Sequence, residues 1–368
     1  DQLLTKTLGK GTTEKQVFTY RYINDEIDLL TNVTRKSTAP TIIVQEHNID
    51  MFYTAQYQLQ SVIEHGYDIN GQSLDRTREI TYDARDRVLS VDGFASGSDD
   101  ITQLTYHDCD TGNECGQLAS ITNAVGEQTQ LSEYDAAGRV TQIIQPNNTV
   151  VSTSYNVSGE VVSTTVSSEG IERTTSYEYN QGLLTNTTLP NGETYTLSYD
   201  DDQKITGITD ALGNQKTFTY DERDNVIKEQ LLDGSAAIYY QLTRTVDRLD
   251  QINSVASING VTTHQVNNIG ELTQSTDALA QSDSYQYDSL SRLISHTDAL
   301  SNRTYYDYNN HDQVTSVTDA LGSTTAYQYD DFGRVTQQDS PATGISSYQY
   351  DDADNMLSST DARGITAN

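Results

Sequence analysis

A tyrosine-anchored motif recurs along the chain at a near-constant step, and that periodicity restricts the fold more than any single residue does. YDARDRVLSV begins at Tyr82, YDAAGRVTQI at Tyr134, YDERDNVIKE at Tyr220, YDSLSRLISH at Tyr287, YNNHDQVTSV at Tyr308, YDDFGRVTQQ at Tyr329 and YDDADNMLSS at Tyr350. With that tyrosine as anchor the series runs Tyr82, Tyr106, Tyr134, Tyr155, Tyr179, Tyr199, Tyr220 and Tyr240, passes a degenerate unit at Val266, and ends with Tyr287, Tyr308, Tyr329 and Tyr350. The last four anchors lie 21 residues apart, and earlier gaps of 20, 24 and 28 residues mark insertions and deletions in loops, where a chain tolerates them. A catalytic constellation is singular, whereas a structural unit recurs. The motif is a building block.

Each unit carries its own strand and turn signals. Tyr177 and Tyr179, Phe218 and Tyr220, Tyr285 and Tyr287, Tyr306 and Tyr308, Tyr327 and Tyr329, and Tyr348 and Tyr350 alternate with polar residues. That period of two places both aromatics on one face of a strand. Stacked units would then form tyrosine ladders, each cross-strand aromatic pair contributing roughly 0.2 to 1 kcal/mol. After the anchor, Asp83, Asp135, Asp221, Asp288, Asp330 and Asp351 open a turn, because an Asp carboxylate accepts backbone N–H groups two or three residues on. Gly138 and Gly333 fill the slot that tolerates a left-handed conformation, and Arg139 and Arg334 lead the returning strand. Eleven residues past an anchor stands a second turn signal, Asp210, Asp277, Asp298, Asp319 or Asp361, as in TDALGN and TDALSN. The expected fold is all-β: a long antiparallel hairpin meander with about two strands and two turns per unit.

Residues 81–368 form the repeat array, and residues 1–80 read as a divergent β-rich extension of the same sheet. Tyr22 serves there as a further anchor, and the register around TIIVQEHNIDMFYTAQYQLQSVIEH stays open. The start at DQLLTKTLGK, with no initiator Met, and the stop at DARGITAN, partway through a unit, suggest an internal segment of a longer protein.

Composition separates this reading from disorder. Only 35% of residues are hydrophobic and Trp is absent, yet there are 25 Tyr in alternating patterns that disordered chains lack. The formal charge of −31 disfavours nucleic acid and anionic membrane surfaces, which call for clustered Lys and Arg. No apolar run reaches 18 residues, so no transmembrane helix is expected in this chain.

The units resemble the RHS or YD repeats, Tyr-Asp-x-x-Gly-Arg-Leu recurring about every 20 residues. YDAAGRVTQI and YDDFGRVTQQ match closely, and degenerate copies cover roughly residues 82–368. Such repeats occur in bacterial RHS polymorphic toxins, shell components of Tc toxins, wall-associated bacterial proteins and the teneurins of animals. The resemblance implies a β-sheet that spirals into a hollow shell, which in the bacterial toxins encloses a C-terminal toxic polypeptide. The Asp-Pro-type core motif of those toxins is absent here.

The search for chemistry is otherwise negative. Six scattered His show no paired-ligand spacing, and neither a G-x-S-x-G elbow, a phosphate loop nor a C-x-x-C occurs. Asp99–Asp100, Asp200–Asp202, Asp330–Asp331 and Asp351–Asp352 read as solvated turn residues rather than catalytic carboxylates, and DCDTGNE lacks the order of a calcium loop. Arg139 and Arg334 are expected to pair with the Asp of a neighbouring unit. Cys109 and Cys115 flank a local turn and could be bonded or free. No catalytic, cofactor or metal residue is assigned. The expected role is a structural shell segment of a large secreted or surface-delivered bacterial protein, with a cargo polypeptide or the rest of the parent chain as partner. The alternative is an extracellular adhesion or carbohydrate-binding module that meets a cell-surface protein or glycan through exposed tyrosine ladders.

Overall fold

The computed structural model describes residues 5–8, 16–22, 29–37, 46–67, 73–95, 97, 100–109, 112–309 and 311–368. Among them the chain forms 32 strands and no helix, all in one sheet. Strands pair antiparallel with their neighbours in sequence, as in Thr194–Tyr199 with Ile205–Asp210 and Ile205–Asp210 with Gln215–Tyr220. Turns therefore alternate between two edges. The Tyr-Asp turns lie on one, and the turns of the TDALGN type lie on the other.

One irregularity recurs with the repeat. The ladder register shifts immediately before Tyr82, Tyr134, Tyr155, Tyr199, Tyr220, Tyr287, Tyr308, Tyr329 and Tyr350. Such a bulge adds local twist and re-aims the side chain beside it. The same shift marks Tyr53, so YTAQYQL is a repeat turn in which Thr replaces Asp. Sequence alone left that register open. The shift also corrects one anchor: it falls before Val246, and Tyr240 sits in the middle of strand Ile238–Val246.

Contacts divide the chain into two units, one of Asp1–Gln103, Asn123–Val125 and Asp283–Asn368, the other of Leu104–Thr122 and Gly126–Ser282. Neither has a filled apolar core: Tyr134, at 9% exposure, is the one buried hydrophobic residue among those described. Backbone ladders and recurring polar links hold the sheet instead.

Cys109 and Cys115 form a disulfide across the loop after Thr102–Tyr106, with S–S 1.97 Å and Cα–Cα 4.3 Å. Within that loop the His107 N–H donates to the Gln117 carbonyl at 2.9 Å. A thiol reagent applied to the unfolded, unreduced protein should find no free cysteine. Because the closed loop is short, replacing both with Ser should cost no more than about 2 kcal/mol in urea denaturation.

Candidate functional site

What this chain offers is the repeat itself, so the site is built from one unit upward. In YDAAGR the Asp135 N–H donates to the Arg139 carbonyl and the Gly138 N–H to the Asp135 carbonyl, both at 2.9 Å, closing a three-residue hairpin loop. Asp135 Oδ1 accepts from the N–H groups of Ala137 and Arg139 at 2.9 and 3.0 Å, while Oδ2 accepts from Arg139 Nε at 2.7 Å. Asp83, Asp221, Asp288, Asp330 and Asp351 accept in the same way, from residues two and four positions on. The second N–H comes from one residue further than expected because the loop has three residues. Its last position is left-handed, with φ 76° at Gly138 and 88° at Gly333.

The opposite edge uses the same turn. Asp210 accepts from the N–H groups of Leu212 and Asn214 and from the Asn214 side chain at 2.7 to 2.9 Å, and Asp277, Asp298, Asp319 and Asp361 likewise hold residues two and four on. These bonds favour the charged carboxylate. Hydrogen bonds from the Arg139 side chain, then from its backbone, hold Asp135 below the usual value of 3.8. The Asn214 side chain does the same for Asp210, and Asp83, Asp221, Asp233, Asp298, Asp351 and Asp361 are lowered too.

The anchor tyrosine links one unit to the one before. Its hydroxyl donates to the carbonyl of the first residue in the preceding returning strand: Tyr308 to Leu293 at 2.8 Å, Tyr329 to Val314 at 2.7 Å, Tyr350 to Val335 at 3.0 Å. Tyr53, Tyr82, Tyr134, Tyr155 and Tyr220 do the same, and Tyr199 reaches the second residue of its strand, Leu184. Burial pushes the phenols of Tyr53, Tyr134, Tyr308, Tyr329 and Tyr350 above their ordinary value. Where the anchor is Val246, Arg244 donates to the Val226 carbonyl at 3.4 Å in place of the missing hydroxyl.

The arginines pair within their own unit as well as, for Arg334, with an Asp of the neighbouring one. Arg139, Arg292 and Arg334 bind the Asp of their own unit, at 2.6, 2.6 and 2.7 Å. Their guanidiniums then lie over the anchor ring of the next unit, Arg139 over Tyr155 at 4.3 Å, Arg292 over Tyr308 at 5.0 Å and Arg334 over Tyr350 at 5.2 Å. The contacts to the neighbouring unit go to a different acid, the one in the left-handed slot: Arg292 to Asp312 and Arg334 to Asp354, 3.1 and 3.2 Å. The rings therefore contact cations, and Tyr285 stacks on His296 at 5.0 Å rather than on a second tyrosine.

Within the first unit these left-handed acids have a second partner, far away in sequence. Asp312 also receives Arg35 at 2.9 Å, and Asp354 receives Arg76 at 2.6 Å. Arg76 is 6% exposed, pairs with Glu64 at 2.7 Å, and lies 4.0 Å from the Phe332 ring and 4.8 Å from that of Phe94. Tyr67 donates its N–H to Asp331 at 3.0 Å. Gly66 permits the approach, since a Cβ there would stand 2.9 Å from Phe332. Three successive Tyr-Asp turns thus rest against strands Leu30–Ser37, Leu59–Tyr67 and Ser73–Tyr82.

On those strands and strand Glu46–Tyr53 between them, Asn32, Asn48, Asp50, His65 and Asp75 line a polar cleft of about 830 Å³. His65 bridges Asp75 at 2.9 Å and Asp50 at 3.1 Å, and its bond to Asp75 raises its pKa. Asn32 donates to Asn48 and Asp50. These groups satisfy one another. Among the described residues no cluster of His, Cys, Asp and Glu is placed to hold a metal ion. Asp99, and Asp110 of the DCDTGNE stretch, lie outside the described residues.

Residues 111–241 match the Teneurin YD-shell family, and residues 267–303 and 308–345 match the RHS Repeat family. No curated protein sequence matches the chain. The fold is similar to that in the crystal structure of TcdB2-TccC3-Cdc42, with TM-score 0.54 and 13% identity over 94% of this chain and 19% of that one. For the crystal structure of TcdB2-TccC3 the values are 0.51 and 12%, over 95% and 24%. The chain thus spans about a fifth to a quarter of the chains it matches.

Three outcomes are expected from these links. Carboxylates held below 3.8 contribute stability that is complete above the ordinary Asp range and is lost as pH falls through their lowered values. Urea midpoints should hold steady down to pH 5 or so and drop steeply below about 4. Arg76→Ala removes a buried guanidinium from between Glu64 and the half-exposed Asp354, which keeps Arg334, so it should cost about 1 to 3 kcal/mol with no full rescue by Lys. Tyr329→Phe, which removes one hydroxyl link, should cost about 1 kcal/mol.

Proposed function

We propose that this chain, a member of the RHS/YD-repeat family, is a wall segment of a β-shell that encloses a cargo polypeptide within a larger secreted or surface-delivered protein. The observation that carries the reading is a sheet of 32 strands with almost no apolar core. A single-layer wall whose links recur from hairpin to hairpin needs only polar staples, and it leaves its faces free to line a space. Similarity to the Tc-toxin shell fold supports the structural role. On this reading the role is architectural rather than catalytic: Asp200, Asp330 and Asp351, one acid of each of three runs that could have served as catalytic pairs, accept the N–H groups of their own turns.

A second reading, an extracellular module that binds a glycan or a cell-surface protein, draws on one exposed patch. Ile238, Tyr239 and Tyr240 project from strand Ile238–Val246 with 40–61% exposure. Anchor tyrosines such as Tyr308, Tyr329 and Tyr350 do not serve that reading, because their hydroxyls are committed to neighbouring carbonyls.

The protein purified from its producing cell decides between these readings. A co-purifying polypeptide should resist trypsin until acid or urea opens the wall. Absence of such a polypeptide, or its digestion at the rate of the free form, excludes the container. Binding to a glycan array that is lost in Tyr239→Ala/Tyr240→Ala would then establish the second reading.

A further inference from the structure

Three strands of the first unit are joined side to side by one imidazole. His65 stands in the middle strand, Leu59–Tyr67, directly opposite Asn48 of strand Glu46–Tyr53 and Asp75 of strand Ser73–Tyr82. Its Nδ1 lies 2.9 Å from Asp75 Oδ1, and its Nε2 lies 3.1 Å from Asp50 Oδ2. Ionised carboxylate oxygens only accept, so both ring nitrogens must donate, and only the imidazolium carries two N–H groups. A neutral ring would turn one nitrogen lone pair against a carboxylate.

The charged groups around the ring are few. Asp50 faces it from one neighbouring strand and Asp75 from the other, and Arg21 lines the same cleft. Glu64 and Arg76 pair with each other on the opposite face, because successive residues of a strand alternate sides. Asp50 is held in place, since its Oδ1 accepts from Asn32 Nδ2 at 2.6 Å. Asp75 is half-exposed and can turn toward water.

The same strands carry the seam, where Tyr-Asp turns rest against this part of the sheet. Past the His65–Asp75 pair the ladder holds Gly66–Leu74 and Tyr67–Ser73. Gly66 meets Phe332, and the Tyr67 N–H donates to Asp331.

We propose that His65 is a proton-operated clamp on this seam. Charged, it draws Asp50 and Asp75 together across three strands and steadies Tyr67 against Asp331. Neutral, it bonds only one of the two, Asp75 swings out, and the contact with Asp331 loosens. The bond to Asp75 raises the His65 pKa, so the clamp is complete below the ordinary histidine value and is lost as pH rises through the raised one. It works whether or not the shell encloses cargo.

Hydrogen exchange followed by NMR tests the clamp. Normalised to the intrinsic rate at each pH, protection of the Tyr67 amide should fall at least about fivefold between about pH 6 and about pH 9, while that of Val62, in the middle of the same strand, holds. Asp75→Asn offers Nδ1 a donor and satisfies the neutral ring, so it should abolish the fall and lower the pH at which the His65 ring titrates. His65→Gln carries no charge at either pH and should leave Tyr67 weakly protected at both. Wild-type protection of Tyr67 that does not change with pH, a fall of the same size in Asp75→Asn, or a His65 ring that titrates at the same pH in both proteins would overturn the proposal.

Discussion

Everything in this sheet depends on one carboxylate that accepts two backbone N–H groups, two and four residues ahead. A wide antiparallel meander must reverse direction at every strand end, and an error of one residue in any turn would flip the following strand to the other face. Asp fixes the loop at three residues by bonding both sides of it, and the left-handed fourth position completes the reversal. Asp, Asn or Thr in that slot at one edge, and Asp at turns such as Asp210 and Asp298 of the other, give the chain the same reversal again and again, while Gln145 and Leu189 close the same loop through backbone bonds without a carboxylate in the slot. The 21-residue period is the sum of two such turns and the short strands between them.

The second constraint is lateral. Turns alone would leave each hairpin free to slip against its neighbour, since a polar sheet with little apolar burial specifies register weakly. The anchor tyrosine removes that freedom, because its hydroxyl reaches one carbonyl of the preceding unit while its ring receives that unit's guanidinium. Position 246 shows that the link, rather than the residue type, is what the fold requires: Val takes the anchor slot and Arg244 supplies the donor to the Val226 carbonyl.

Much of this was legible in the sequence because it is local. The all-β meander, the turn at Asp135 and the strand face that carries Tyr327 and Tyr329 follow from spacing within a dozen residues. Tyr240 stands at the spacing of an anchor, yet the bulge and the Asp247 turn place the anchor at Val246, a residue with no hydroxyl to mark it in the sequence. Tyr53 was missed because Thr54, a weaker acceptor, stands where Asp was sought. The seam lay beyond reach for a different reason. Arg76 and Asp354 are 278 positions apart, and nothing near either residue marks the other; only the return of one part of the sheet against another brings them together.

The excess of acid also changes meaning. Read as a net charge, 53 Asp and Glu against 22 Lys and Arg speak of partners repelled. Read residue by residue, many of these acids are turn acceptors whose charge is already answered by N–H groups, as at Asp210, or by a guanidinium, as at Asp330. A fold that reverses direction this often with Asp becomes acidic as a by-product of its turns. The few arginines are then placed where two acids from different units converge, and Arg334, between Asp330 and Asp354, does this within the repeat. Arg76, between Glu64 and Asp354, does it across the seam. Asp354 thus belongs to both systems, so the interaction that sets the step between hairpins also sets how one stretch of the sheet rests on another.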